Sequence, residues 1–275
     1  QATFIHVMGW ISKYSKSELL VQFAYFSANP NKITMILIAV ATSIGGVGIP
    51  LLTENYVKGD FRSAARLVQD NLSMLIFFIL PATIGAVLVA EPLYTVFYGK
   101  PDGLALGLFI FAMLQTIILS LYTVLAPMIQ ALFQNRKAII YFLYGVGVKL
   151  VLQVPLIYIF KAYGPLLATT VGLIIPILLM YQEIRKVTGL NPKNLFKRSL
   201  LSVILTVLMT IFVLVTELLI GLFLHPSGRI SSFVYIALIG GIGLAVYGGL
   251  ALKVRLMDRF IGSKAASLRR RFHIY

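Results

Sequence analysis

The sequence predicts an all-α fold, a polytopic bundle of membrane-spanning helices. Three observations predict it. Hydrophobic residues make up 59% of the 275 positions, and mean hydropathy is +0.91. Only 12% of residues are charged, about half the share in an ordinary soluble domain. The apolar residues also fall into runs of about twenty, the helix length that crosses a hydrocarbon core.

Taken in order, residues 1–11 are apolar but short, and read as the end of a helix in a longer protein. Residues 12–31 are polar and aromatic, as in an outer loop. Asn29-Pro30 opens the first full span, 33–52, with Asn29 as N-cap and Pro30 at the first helical position. A charged segment follows. Phe61, Ala64, Ala65, Val68 and Leu72 share one helical face, and Arg62, Arg66 and Gln69 share another. With Asp60 as N-cap, this predicts a basic amphipathic helix lying on the membrane surface.

Further spans are expected at 71–90, 104–125, 138–160, 165–180, 200–224 and 233–252. Pro81 lies near the middle of the second, Pro127 kinks the end of the third, and Pro176 lies late in the fifth. Such prolines are tolerated where neighbouring helices satisfy the freed backbone groups. Gly45, Gly46 and Gly48 in the first span predict close helix contacts. So do Gly241, Ala245 and Gly249 in the seventh, which recur every four residues.

The net charge of +15 is distributed by loop. Seventeen of the 24 basic residues fall in 54–70, 134–137, 182–198 and 253–275. The intervening loops hold Lys13, Lys16, Lys32, Lys100, Lys161 and Arg229, and Lys149 lies inside a span. The bias places the first set, and with it the C-terminus, in the cytoplasm. The excess charge is thus a topology signal with anionic lipid as its partner, and nucleic acid is not expected. Cysteine is absent, so there is no disulfide and no thiolate metal site.

No GxxxxGK[ST] or HExxH pattern occurs. His6, His225 and His273 lie far apart, at or beyond span ends. No nucleophile sits beside a base. An enzyme is not expected, nor a metal or cofactor. What remains is polarity inside the membrane. Lys149 falls near the centre of the fourth span, with Gln153 one turn on along the same face. Gln115 lies at mid-depth in the third span, and Glu217 in the outer half of the sixth. A central lysine costs about 2.5–3.5 kcal/mol on insertion scales and faces a partner or a watery cavity. These residues predict a polar pathway for a substrate or ion. The alternatives are a structural Lys149–Glu217 pair or a snorkelling Lys149. Lys32 falls in the first turn of its expected helix, where the dipole favours anions. There it would hold an anion together with free N–H groups, or else be an ordinary interfacial lysine.

Several linked motifs carry a resemblance. A helix ends in IPLLTEN, a link reads YVKGDFRSAARLVQDN, the next helix carries LPATIGAVLVAEPLYTVFYG, and a turn reads ALFQNRKA. Together they resemble the multidrug/oligosaccharidyl-lipid/polysaccharide flippase superfamily, in its Gram-positive polysaccharide-biosynthesis and lipid II branch. The opening QATF is similar to the start of that family's seventh helix.

The resemblance implies the second half of a fourteen-helix, two-lobe transporter. Residues 1–31 would be a helix end and outer loop, and 32–183 second-lobe helices. Residues 184–198 would be a cytoplasmic loop, 199–253 two extra spans, and 254–275 a basic tail. It implies transport of a lipid-linked saccharide diphosphate across the cytoplasmic membrane by alternating access, by a protein monomeric in its full-length form. It places Lys32 at a cavity-lining basic position where Arg is common. A drug/cation antiporter of the same superfamily would need acidic cavity residues, of which the spans here hold only Glu217. A non-transporting scaffold would have no need of Lys32 or Lys149.

Overall fold

A computed structural model describes residues 2–12, 14–221 and 228–257. Among them are eleven α-helices, a single 3-10 turn and no strand, as expected of an all-α chain. The helices are α1 Ala2–Ile11, α2 Lys16–Phe26, α3 Ala28–Val47, α4 Ile49–Val57, α5 Phe61–Leu88 and α6 Ala90–Tyr98. They continue with α7 Gly103–Ala131, α8 Asn135–Phe160, α9 Gly164–Thr188, α10 Pro192–Gly221 and α11 Arg229–Lys253. The chain divides into two compact units. Unit 1 is Gln1–Leu75 with Asp102–Phe196, and unit 2 is Ile76–Pro101 with Lys197–Tyr275. The expected boundary between 32–183 and 199–253 differs from this division, because residues 76–101 group with the last two helices.

Six apolar helical runs among the described residues are long enough to cross a membrane. One of them, Asn135–Thr188, is 54 residues long, far more than one crossing requires. It is a hairpin. Lys161 adopts φ 50° and a 3-10 turn follows, so α9 runs back along α8. The pairing is antiparallel, since Gly164 faces Ile157 while Gly172 faces Gly145 and Lys149. Counted as two helices, the hairpin brings the membrane-length segments to the expected seven.

In unit 1 the region 12–31 is not a loop. Ser15 and Glu18 form a reciprocal capping box that starts α2, the S-x-x-E pattern that satisfies two orphan donors at once. Helix α2 then buries Leu19 and Phe26 against Phe4, Val7 and Met8 of α1. Asn29 is not an N-cap either. Helix α2 passes into α3 through Ser27 alone, which keeps right-handed helical angles and donates its N–H to Phe23 at 3.0 Å. Asn29 and Lys32 are therefore the second and fifth residues of α3. The first expected span is broken at Gly48, with Pro50 in the opening turn of α4.

The amphipathic segment is also corrected. Gly59 (φ 75°) makes the turn, and Asp60 caps as expected, accepting the Ser63 N–H at 3.0 Å. No breaker follows until Pro81, so the segment is the opening part of the 28-residue α5. Its apolar stripe is covered by protein rather than lipid: Ala64, Val68 and Leu72 are buried, and only Phe61 is exposed. The supposed polar face contributes as well. Gln69 is buried and donates to the Asn191 carbonyl at 3.1 Å.

The fifth span is longer than expected. Helix α9 continues through polar residues to Thr188, and Gly189 ends it with a left-handed φ of 68°. That conformation is costly for residues with a β-carbon.

In unit 2 the core joins Phe77, Met209, Val213, Ile239, Tyr247 and Ala251. Pro81 has no N–H, so the Phe77 carbonyl one turn earlier loses its helical donor. The Tyr247 hydroxyl supplies one at 2.7 Å. The tolerance of proline in membrane helices thus has a named agent here.

Candidate functional site

The polar residues singled out from sequence occupy four settings. Gln115 on α7 is committed to α9. Its amide nitrogen donates to the Leu166 carbonyl at 2.8 Å and to the Thr170 hydroxyl at 2.9 Å. Both amide hydrogens are used, which leaves only the carbonyl oxygen for a ligand. Lys149 on α8 is half-buried, with its β-carbon packed against Gly172 of α9. Thr170 and Gly172 are two positions apart, about 200° around a helix. Gln115 and Lys149 therefore approach opposite sides of α9 and do not form one polar pathway. Gln153 is half-buried one turn beyond Lys149.

Lys32 is exposed on α3. Because α2 runs almost directly into α3, Lys32 lacks the open helix start that the sequence suggested. Any anion site there rests on the ammonium group rather than on free N–H groups. Glu217 on α10 belongs to unit 2, where the Tyr235 hydroxyl donates to it at 3.3 Å. His225 and His273 lie outside the described residues. Among the described residues no group of three or more His, Cys, Asp or Glu side chains is placed to hold a metal.

Two features were missed from sequence. The first closes one end of the α8–α9 hairpin. Lys137 pairs with the buried Glu183 at 2.6 Å, and the Tyr141 hydroxyl donates to the same carboxylate at 3.3 Å. Lys137 entered the sequence reading only as a topology charge, because nothing in a single chain pairs residues 46 positions apart. The second is a groove in unit 2 of about 500 Å³, lined almost wholly by carbon. Phe78, Pro81, Met209, Ile239, Leu244 and Gly248 contribute to it. It offers few polar groups to orient a ligand. The signal available beforehand was the density of glycine in the seventh span.

Comparison with known proteins agrees with this setting. The family model described as lipid II flippase MurJ matches residues 20–238. The lipid II flippase MurJ of Bacillus subtilis (strain 168) is 29% identical over 237 residues, which cover 85% of this chain and 44% of that protein. The chain thus spans less than half the length of the curated relative it matches. No solved structure matches it. Its apolar helices, its multi-pass character and the match over most of its length lead to one conclusion: the chain belongs to the lipid II flippase MurJ family.

Proposed function

We propose that this chain forms the C-terminal half of a flippase that carries lipid II, a lipid-linked saccharide diphosphate, across the cytoplasmic membrane. The observation that carries the reading is the family match over residues 20–238. The apolar groove of unit 2 supports it, because a flippase must accommodate a long hydrocarbon tail while it moves a polar headgroup. Lys32 and Lys149 are the proposed contacts for the diphosphate, through charge-assisted hydrogen bonds. Gln153, one turn beyond Lys149, is a subsidiary polar contact, whereas Gln115 meets α9 on its other side and is left out of the diphosphate site. Transport proceeds by alternating access, with the full-length protein a monomer and anionic lipid at its basic loops. The charge bias orients residues 54–70, 134–137, 182–198 and the C-terminus toward the cytoplasm.

Complementation of a flippase-deficient strain by the full-length protein tests the reading. Lys32→Ala is expected to lower activity at unchanged membrane level, Lys32→Arg to retain it, and Lys32→Glu to be worse than Ala. Lys149→Met is expected to reduce transport more than expression. Equal complementation by all four variants would remove both lysines from the site. A cysteine at Ser63 that is labelled from outside intact cells would overturn the orientation.

A further inference from the structure

Unit 2 holds a second cleft of different chemistry, about 400 Å³, where α5 ends and α6 and α11 begin. Its polar lining residues are Glu91, Thr95, Glu217, Ser232 and Tyr235, whose only side-chain heteroatoms are oxygens. No lysine or arginine lines it among the described residues, although the chain carries a net charge of +15. Two carboxylates therefore share one cleft without a basic partner in its walls.

The hydroxyl groups around them are arranged to present lone pairs. Tyr235 spends its proton on Glu217 at 3.3 Å, and Thr95 spends its proton on the Glu91 carbonyl at 2.8 Å. Each keeps acceptor capacity on its oxygen. Ser232 is the independent observation. It is 1% exposed, and its Oγ has no hydrogen-bond partner among the described residues. A buried hydroxyl in a native protein is almost always satisfied, and this one lines the same cleft as the two carboxylates.

We infer that this cleft binds a hard divalent cation, of the calcium class, between Glu91 and Glu217. The donor set is oxygen alone, as hard cations require, and two carboxylate charges balance one divalent ion. The hydroxyl oxygens of Ser232, Tyr235 and Thr95 complete the shell. A monovalent ion would leave one negative charge uncompensated. A softer metal would seek imidazole or thiolate, and the lining supplies neither.

The test is calcium binding to the full-length protein in detergent, read by calorimetry and by the shift in thermal unfolding. Ionic strength is held constant with potassium chloride. Binding is read without transport, so the result does not depend on flippase activity. The expected dissociation constant is on the order of 10⁻⁴–10⁻³ M, as for weak oxygen-ligand sites. Glu217→Gln is expected to weaken binding at least about tenfold and Glu91→Gln several-fold, since each removes one charged ligand. Ser232→Ala is expected to cost less than either. Glu54→Gln, whose carboxylate pairs with Lys58 at the end of α4, should bind calcium as the parent does. Glu91 is exposed, so Glu91→Gln remains informative if Glu217→Gln folds poorly. The inference is overturned if both glutamine variants bind calcium like the parent, or if sodium at equal concentration gives the same variant-sensitive shift.

Discussion

Glycine is put to opposite uses in the two units. In the α8–α9 hairpin of unit 1 it lets two backbones meet. A β-carbon built on Gly145 would collide with the Gly172 carbonyl oxygen and come within 2.9 Å of the Pro176 ring. One on Gly172 would meet the Gly145 carbonyl at 2.8 Å and the Lys149 β-carbon at 2.9 Å. In α11 of unit 2, Gly240, Gly241, Gly248 and Gly249 have no atom of the described residues within 4 Å of a would-be β-carbon. Gly240 and Gly248 border the apolar groove. There the missing side chains leave space instead of closing it. The expectation that Gly241, Ala245 and Gly249 mark a tight helix contact is thus corrected. Gly243 alone among the α11 glycines meets another helix, with Val213 at 3.4 Å. The lesson is that a small-residue stripe states what is permitted at a helix surface, and the partner decides whether it becomes a contact or a cavity.

The strongest way to break this comparison is Gly145→Val. Overpacking a close backbone contact costs roughly 1–3 kcal/mol and occasionally more. The neighbours here are backbone and a proline ring, which cannot step aside, so the upper end of that range is expected. Thermal unfolding of the purified full-length protein should show it, and an unchanged melting temperature would mean that the hairpin is not packed this way.

Gly248→Leu sharpens the other side. It should fill part of the groove and leave the melting temperature at or above that of the parent, since it replaces a helical glycine where no described neighbour is crowded. Transport of the lipid-linked substrate should nevertheless fall markedly. A variant that transports normally would detach the groove from the lipid tail.

A smaller loss is expected at the polar end of the hairpin. Glu183→Gln keeps an acceptor for Tyr141 but removes the charge that meets Lys137. Lys137 is 45% exposed in its side chain, so water takes over part of the pairing. The cost should be about 1 kcal/mol, toward the upper limit for partly exposed pairs. The double variant with Lys137→Met would show coupling if the pair matters.

The smallest effect, of opposite sign, is expected at Gly241→Ala and Gly249→Ala. With open space at both positions, each should stabilise the helix by roughly 0.5–1 kcal/mol through lost backbone entropy in the unfolded chain. Destabilisation at either would mean that the stripe has a partner after all.

The sequence by itself determined the class and most of the layout. Twenty-residue apolar runs are a one-dimensional property, because each crossing satisfies its own backbone bonds and its length is set by the bilayer. The family was legible for a related reason: its motifs sit in short links such as ALFQNRKA, which adjacent residues define. Helix ends were less secure. Helices α5, α9 and α10 run past the apolar stretch, since a polar segment without a breaker stays helical. What only the tertiary structure decided were the pairings between distant residues. Lys137 with Glu183, Gln115 with Thr170, and the Tyr247 hydroxyl with the carbonyl orphaned by Pro81 join positions 46, 55 and 170 residues apart. Periodicity fixes which face of a helix a residue occupies. It does not say which other helix that face meets, because that choice is made by the packing of whole helices.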